Sequence, residues 1–191
     1  MARTRSSGFD RIAHEEYDSP LGRLFLAQGV QPGSRPAPLA VLFVGPKAGP
    51  TAVSAGTEDP EHYLERFYPG VPRVTGPCRD LRGRLDRYFK KGAWEPMDVP
   101  AELAGTDFQH SVWKKIARIP AGKRRTYGEI AAALGRPRAA RGVGQATGAN
   151  PLSIVVPCHR VVGADGRITG YGGGIGRKEW LLRWEEEPGR P

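Results

Sequence analysis

The stretch TYGEIAAALGRPRAARGVGQATGAN, residues 126–150, decides the fold of the second half of the chain. It opens with Thr126, whose hydroxyl suits a helix N-cap, and Glu129 three residues on can return the bond to the cap's own N–H. Gly135 then stops the helix, because glycine adopts the left-handed geometry of a helix end at little cost. Pro137 fits the first turn of a second helix, where its missing N–H would have had no partner. Two short helices around a Gly-containing turn form a helix-turn-helix pattern. The second helix is weak on its own, since Gly142, Gly144 and Gly148 each cost about 0.8–1.0 kcal/mol relative to alanine. Small side chains let a backbone approach a neighbour closely. That neighbour is either the protein's own core or a DNA groove, the latter suggested by Arg138 and Arg141 on the same helix.

Charge is concentrated around this stretch. Of the net +9, residues 106–160 carry 10 Lys/Arg against 2 Asp/Glu, whereas residues 1–105 are nearly balanced at 14 against 13 and residues 161–191 hold 5 of each. Such a local excess is the footprint expected for a polyanion, or equally a solvated basic face without a partner.

Upstream, RIAHEEYDSPLGRLFLAQ reads as two strands around the turn Ser-Pro-Leu-Gly, and APLAVLFVG as a third, with the Gly/Pro/Ser-rich loop 29–38 between them. DPEHYLERFYP and CRDLRGRLDRYFKKG have helical spacing, the second with Leu81, Leu85, Tyr88 and Phe89 on one face. GAWEPMDVPAELAG is rich in breakers and serves as a linker, so the boundary is expected near residue 100. TDFQHSVWKKIARIP is then a helix with Phe108, Val112, Ile116 and Ile119 as its apolar stripe. The expected architecture is α/β (α+β): an N-terminal domain, 1–100, with a small antiparallel sheet and helices, and a mostly helical C-terminal domain, 101–191, with the helix-turn-helix.

The chain has only two cysteines, Cys78 and Cys158, which rules out a disulfide framework and points to a reducing compartment. No apolar run is long enough for a signal peptide or a membrane span, so a soluble, cytoplasmic protein without membrane contact is expected; a monomer is expected as well.

NPLSIVVPCHRVVG, residues 150–163, reads as a buried strand that puts Cys158 directly beside His159 and Arg160. A nucleophilic cysteine reacts as the thiolate and needs a positive or hydrogen-bonding neighbourhood that lowers its pKa. Adjacent side chains of a strand point to opposite faces, so contact between Cys158 and His159 would need a bridging water or a bend at Pro157. From these residues alone Cys158 is a nucleophile or a buried structural thiol; Cys78 has no histidine beside it and is read as structural.

Taken with RGVGQATGA before it and GYGGGIGRKEWLLRWE after it, this segment resembles the O6-alkylguanine-DNA alkyltransferases, whose active-site signature is Pro-Cys-His-Arg-Val. The likeness is dense over about residues 106–185 and looser at YDSPLGRLFLA. It implies direct, stoichiometric and irreversible transfer of an alkyl group from O6-alkylguanine in double-stranded DNA to Cys158, with no cofactor. His159 would be the base, acting through a water, and Glu185 its orienting partner. Tyr127 would hydrogen-bond the flipped guanine and help to protonate it, and Asn150 would be the hinge between recognition helix and active-site strand. Arg141 would enter the duplex in place of the extruded base, from a helix in the minor groove, with Arg138, Ala140, Gly144 and Thr126 as further DNA contacts. Tyr127, Val161, Tyr171 and Gly172 would line the base pocket beneath the Gly-rich loop 169–176.

Three residues depart from the family pattern: Gly172 stands where serine is frequent, and Gln145 and Thr147 where Gly or Ala and Asn are frequent. They bear on pocket size and hence on the preferred lesion. The zinc of some relatives needs clustered Cys and His ligands; His14, His62 and Cys78 have no such spacing, so no structural metal is expected.

Overall fold

Ser19-Pro20-Leu21-Gly22 turns the chain between strands β1 (Arg11–Ser19) and β2 (Gly22–Val30), with Gly22 at φ 102°, a conformation open to glycine. The Ser19 hydroxyl closes the turn by donating to the Gly22 carbonyl at 2.5 Å and accepting from the Leu21 N–H at 3.2 Å. The computed structural model describes residues 8–45 and 59–186. The first seven residues and Glu187, both part of the sequence reading, lie outside them.

Strand β3 (Ala37–Phe43) pairs antiparallel with β2, which is thus an interior strand; its run from Leu24 to Gly29 is buried throughout, as a strand covered on both faces requires. The loop between β2 and β3 is shorter than the composition suggested. A short strand, β4 (Arg73–Thr75), adds parallel to β1 and completes the order β3-β2-β1-β4. The sheet is therefore mostly antiparallel with one parallel edge. Helix α1 (Pro60–Phe67) starts at Asp59, whose carboxylate accepts from the Glu61 N–H at 3.1 Å. Helix α2 (Arg79–Lys91) buries Leu81, Leu85, Tyr88 and Phe89, the face its spacing predicts, and ends at Gly92 with φ 60°.

Residues 92–105 form neither helix nor strand beyond turns, yet they bury Met97, Val99 and Leu103. Helix α3 (Asp107–Ile116) opens on a reciprocal Thr106–Gln109 cap, and α4 (Tyr127–Ala133) on the expected Thr126–Glu129 cap. After Gly135, at φ 68°, Pro137 starts a turn of 3-10 helix that leads into α5 (Ala140–Gly148). The indole N–H of Trp113 on α3 donates to the Ala146 carbonyl at 2.8 Å and ties α5 to the core. Gly142 lies against Phe108 and Gly144 against Tyr127, so two of the glycines of α5 sit beside aromatic rings of the protein itself, while Gly148 faces open space.

Residues 150–163 correct the sequence reading: most of this segment is not a strand. Pro151 and Pro157 offer no N–H to a ladder. The Asn150 side chain occupies two of the backbone groups between them, accepting from the Leu152 N–H at 3.1 Å and donating to the Val156 carbonyl at 2.9 Å. The result is a tight coil held to the N-terminal sheet, with the Val41 N–H donating to the Pro151 carbonyl at 2.8 Å and the Ser153 N–H to the Val41 carbonyl at 3.1 Å. Ile154 sits at φ 69°, a conformation that costs a β-branched residue on the order of 1–3 kcal/mol. Burial of its side chain, 1% exposed, offsets about 1.5–3 kcal/mol. Cys158–Arg160 is one turn of 3-10 helix; only β6 (Val161–Val162) is extended, pairing parallel with β5 (Arg125–Thr126). Helix α6 (Ile175–Glu186) closes the chain. Of two apolar clusters among the described residues, one runs from Leu24 and Leu26 of the sheet through Leu85 and Tyr88 to Val112, Trp113, Val156 and Leu181, and the other gathers Ile12, Phe25, Leu39, Tyr63 and Leu64.

Candidate active site

Pro157 and the turn after it put Cys158 at the end of the coil, with 4% of its surface exposed. Its sulfur accepts a hydrogen bond from Asn150 Nδ2 at 3.1 Å. Burial pushes the thiol above its usual pKa; the Asn150 bond and the charge of Lys178 oppose this without cancelling it. A nucleophilic cysteine calls for a lowered pKa; at Cys158 desolvation wins, so the resting sulfur is a thiol, and any nucleophilic role requires a base to take its proton.

His159 is fully buried, and its Nε2 lies 2.9 Å from Glu185 Oε1. Desolvation lowers its pKa from 6.5, more than the Glu185 carboxylate raises it. The imidazole is therefore neutral, with Nε2–H donated to Glu185 and the lone pair on Nδ1; that Nδ1 is buried and has no hydrogen-bond partner among the described residues. The bend at Pro157 replaces the strand geometry that would have sent Cys158 and His159 to opposite faces.

Glu185 is the hub of the site. Oε1 accepts from His159, from the Tyr88 hydroxyl at 2.8 Å and from Arg160 Nη2 at 2.6 Å; Oε2 accepts from Arg160 Nε at 2.9 Å and the Gly122 N–H at 3.1 Å. Burial alone would raise this carboxyl, but the bonds and charges of His159 and Arg160 hold it well below the usual carboxylate range. Arg160, itself fully buried, also donates to the Ile119 carbonyl and lies over the Trp94 ring at 4.0 Å.

Lys178 is the second buried cation. Its ammonium donates to the carbonyls of Val161 at 2.6 Å and Thr169 at 2.8 Å, joining β6 to the Gly-rich loop. Burial brings its pKa down to about 8, with Cys158 pulling the other way. Arg177 holds the same loop to the N-terminal half, donating to the Gly173 and Leu21 carbonyls at 2.9 Å each and lying over Phe43 at 4.4 Å.

The β5–β6 pair sets Arg125 and Thr126 beside Val161 and Val162, which brings the start of α4 to this site. Tyr127, half-buried, has its hydroxyl 3.2 Å from Thr169 Oγ1 on the loop. Tyr171 stands edge-on to Phe43 at 6.4 Å, and Gly172 is exposed beside it. Arg138 and Arg141 are exposed on the outer side of the helix pair, with Ala140 and Gly144 half-buried. Thr126 uses its hydroxyl to cap α4. Thus Asn150 bonds the Cys158 sulfur and Glu185 bonds the His159 ring, the two pairs meeting at the Cys158–His159 peptide; Val161 follows the same turn, Tyr127 is tied to the loop that also carries Tyr171, and Arg138 and Arg141 are exposed. Among the described residues no group of His, Cys, Asp or Glu is arranged to hold a metal ion.

Residues 107–187 match the family model described as 6-O-methylguanine DNA methyltransferase, DNA binding domain. A methylated-DNA–protein-cysteine methyltransferase of Methanosarcina barkeri is 44% identical over 141 residues, 69% of this chain and 88% of that one. The chain belongs to the methylated-DNA–protein-cysteine methyltransferase family. The crystal structure of Mycobacterium tuberculosis O6-methylguanine methyltransferase superposes with a TM-score of 0.70 at 39% identity, covering 93% of this chain and 96% of that one. M. tuberculosis OGT in complex with DNA gives 0.68 at 38% identity, covering 91% and 92%.

Sequence reasoning within this family missed Tyr88, Arg160 and Lys178 as parts of the site. Arg160 had a signal, being an arginine in a run that is otherwise buried. Lys178 and Tyr88 had none, because each reads as an ordinary helical position until the fold brings it to the cluster.

Proposed function

We propose that this family member repairs DNA by transferring one alkyl group from the O6 oxygen of guanine to Cys158, irreversibly and once per molecule. The single observation that carries this is the polarised chain Glu185–His159, whose free Nδ1 lone pair belongs to the residue next to a buried thiol. His159 Nδ1 takes the thiol proton, relayed by a water, and Glu185 stabilises the imidazolium that forms. The Asn150 amide and the Lys178 ammonium favour the thiolate. The sulfur forms its bond to the alkyl carbon as the carbon–O6 bond breaks, and the purine takes up a proton from the Tyr127 side. In balance, the thiol proton ends on guanine and the thioether remains on the protein, so nothing regenerates the acceptor.

The target base must leave the stack for this geometry. Arg141 fills the gap from the exposed end of α5, with Arg138, Ala140, Gly144 and Thr126 against the backbone; Val161, Tyr171 and Gly172 line the base pocket. The basic excess of residues 106–160 supports such binding, which is then steeply salt-dependent. The same proposal takes residues 1–100 and 101–191 as two domains of a cytoplasmic monomer. Among the described residues no helix is long and apolar enough to cross a membrane. Incubation with duplex DNA holding labelled O6-methylguanine is the test. Label moves to the wild-type protein and not to Cys158→Ala; label that stays on DNA with wild type, or reaches the Ala variant, overturns the proposal.

A further inference from the structure

We infer that Tyr88, on helix α2 of the N-terminal half, is a positioning residue for the transfer: its hydroxyl fixes the Glu185 carboxylate in the orientation that holds His159. The inference rests on the function proposed above and extends it to a part of the chain outside the Cys-His segment. Tyr88 is 2% exposed, its ring edge-on to Phe89 at 5.0 Å within the cluster that includes Leu85. A phenylalanine would fill that space as well. A hydroxyl buried there costs free energy unless it finds a partner, and the partner it has is Glu185 Oε1, at 2.8 Å.

That oxygen also takes the His159 Nε2–H and an N–H of Arg160, so Tyr88 and His159 share an acceptor that Arg160 also occupies. Burial, then the charge of Glu185, push the Tyr88 phenol well above its ordinary pKa, and it stays an O–H donor at any working pH. The other charged or titratable groups around the pair are Cys158 and Arg160 on the 3-10 turn, Lys178 on α6 and Tyr171 on the loop. A change confined to the Tyr88 hydroxyl leaves all of them in place. Without it, Glu185 loses one of its donors and becomes more basic, which strengthens its bond to His159 and favours the imidazolium. It also loses one of the contacts that fix its rotamer, so the imidazole is held less firmly for receiving the thiol proton.

The experiment is single-turnover methyl transfer from O6-methylguanine DNA by the full-length wild type and Tyr88→Phe, from about pH 5 to about pH 9. The inference expects the plateau rate to fall roughly three- to tenfold and the acid limb, which reports protonation of His159, to move up by about half a unit. DNA affinity is expected to stay the same. An acid limb at the wild-type pH, with or without a lower plateau, overturns the inference, because a merely structural loss scales the rate without moving the limb. Should Tyr88→Phe fail to fold, 3,5-difluorotyrosine at position 88 keeps the shape and donates more strongly; its limb must then move to lower pH, and an unmoved limb again overturns the inference. A wild type that transfers no methyl group is a failure of the repair reading and is seen in the first lane.

Discussion

The two cysteines of this chain each sit beside a glutamate and an arginine, and the clusters differ in what they do to the sulfur. At Cys78 the thiol points at acceptors, the carbonyls of Ala13 at 3.4 Å and Leu26 at 3.6 Å. Glu15 accepts from the Cys78 N–H at 2.7 Å and pairs with Arg82 at 2.6 Å, so its negative charge lies close to the sulfur. Burial, then that charge, push Cys78 up to about 12. At Cys158 the sulfur meets a donor, Asn150, and the field of a cation, Lys178, while the carboxylate of Glu185 is set behind His159. Both thiols are buried and both are raised, so burial does not separate them. The sign of their neighbours does: one set stabilises S–H and the other stabilises S⁻ once the proton has somewhere to go.

The sharpest way to break this comparison is to delete each carboxylate. Glu185→Ala strands Arg160, which is fully buried, and should cost about 3–5 kcal/mol in urea unfolding. Glu15→Ala leaves Arg82, whose side chain is 41% exposed, able to hydrate, and should cost about 1 kcal/mol. Equal losses would mean that the two clusters are energetically alike. Next in size, Lys178→Met removes the cation from the Cys158 side only. Iodoacetamide labelling of Cys158 near neutral pH should slow about tenfold, the equivalent of one pKa unit, with labelling of Cys78 unchanged.

Acid should also act on one cluster first. The folded pKa of His159 lies below its reference of 6.5, so the unfolded chain takes up that proton more readily. Its contribution is fully present above about pH 6.5 and is lost as pH falls through the lower folded value. Glu185, also lowered, adds its loss below its reference of 4.5. Urea midpoints at about pH 7.5 and pH 5.5 should differ by on the order of 1 kcal/mol, and His159→Gln should flatten that difference. The smallest effect is expected from Cys78→Ala: about 1 kcal/mol of stability, and an unchanged rate of methyl transfer.

Much of this was legible in local sequence. The Thr126–Glu129 cap, the glycine stop at Gly135 and the apolar face of α2 all follow from chemistry within a few residues, and the structure has them where the spacing predicts. What failed was long-range. β4 is three residues, Arg73 half-buried and Val74 and Thr75 exposed, that become a strand only because β1 has a free edge. The coil 150–157 looked like a strand because it is apolar, but two prolines and the Asn150 side chain decide its backbone, and β3 holds it from the other half of the chain. The Asn150, Cys158, His159 and Glu185 cluster was legible from the resemblance to a family rather than from residue spacing. Tyr88 and Lys178 were visible in neither way, since each reaches the cluster from a helix that presents itself as ordinary.

Peptide mapping after reaction with O6-methylguanine duplex tests the central claim most directly. The account predicts one added methylene per protein molecule, on the peptide holding Cys158, with Cys78 unmodified in the same sample. A methyl group on Cys78, on any other residue, or released as free methanol while guanine is restored would contradict it.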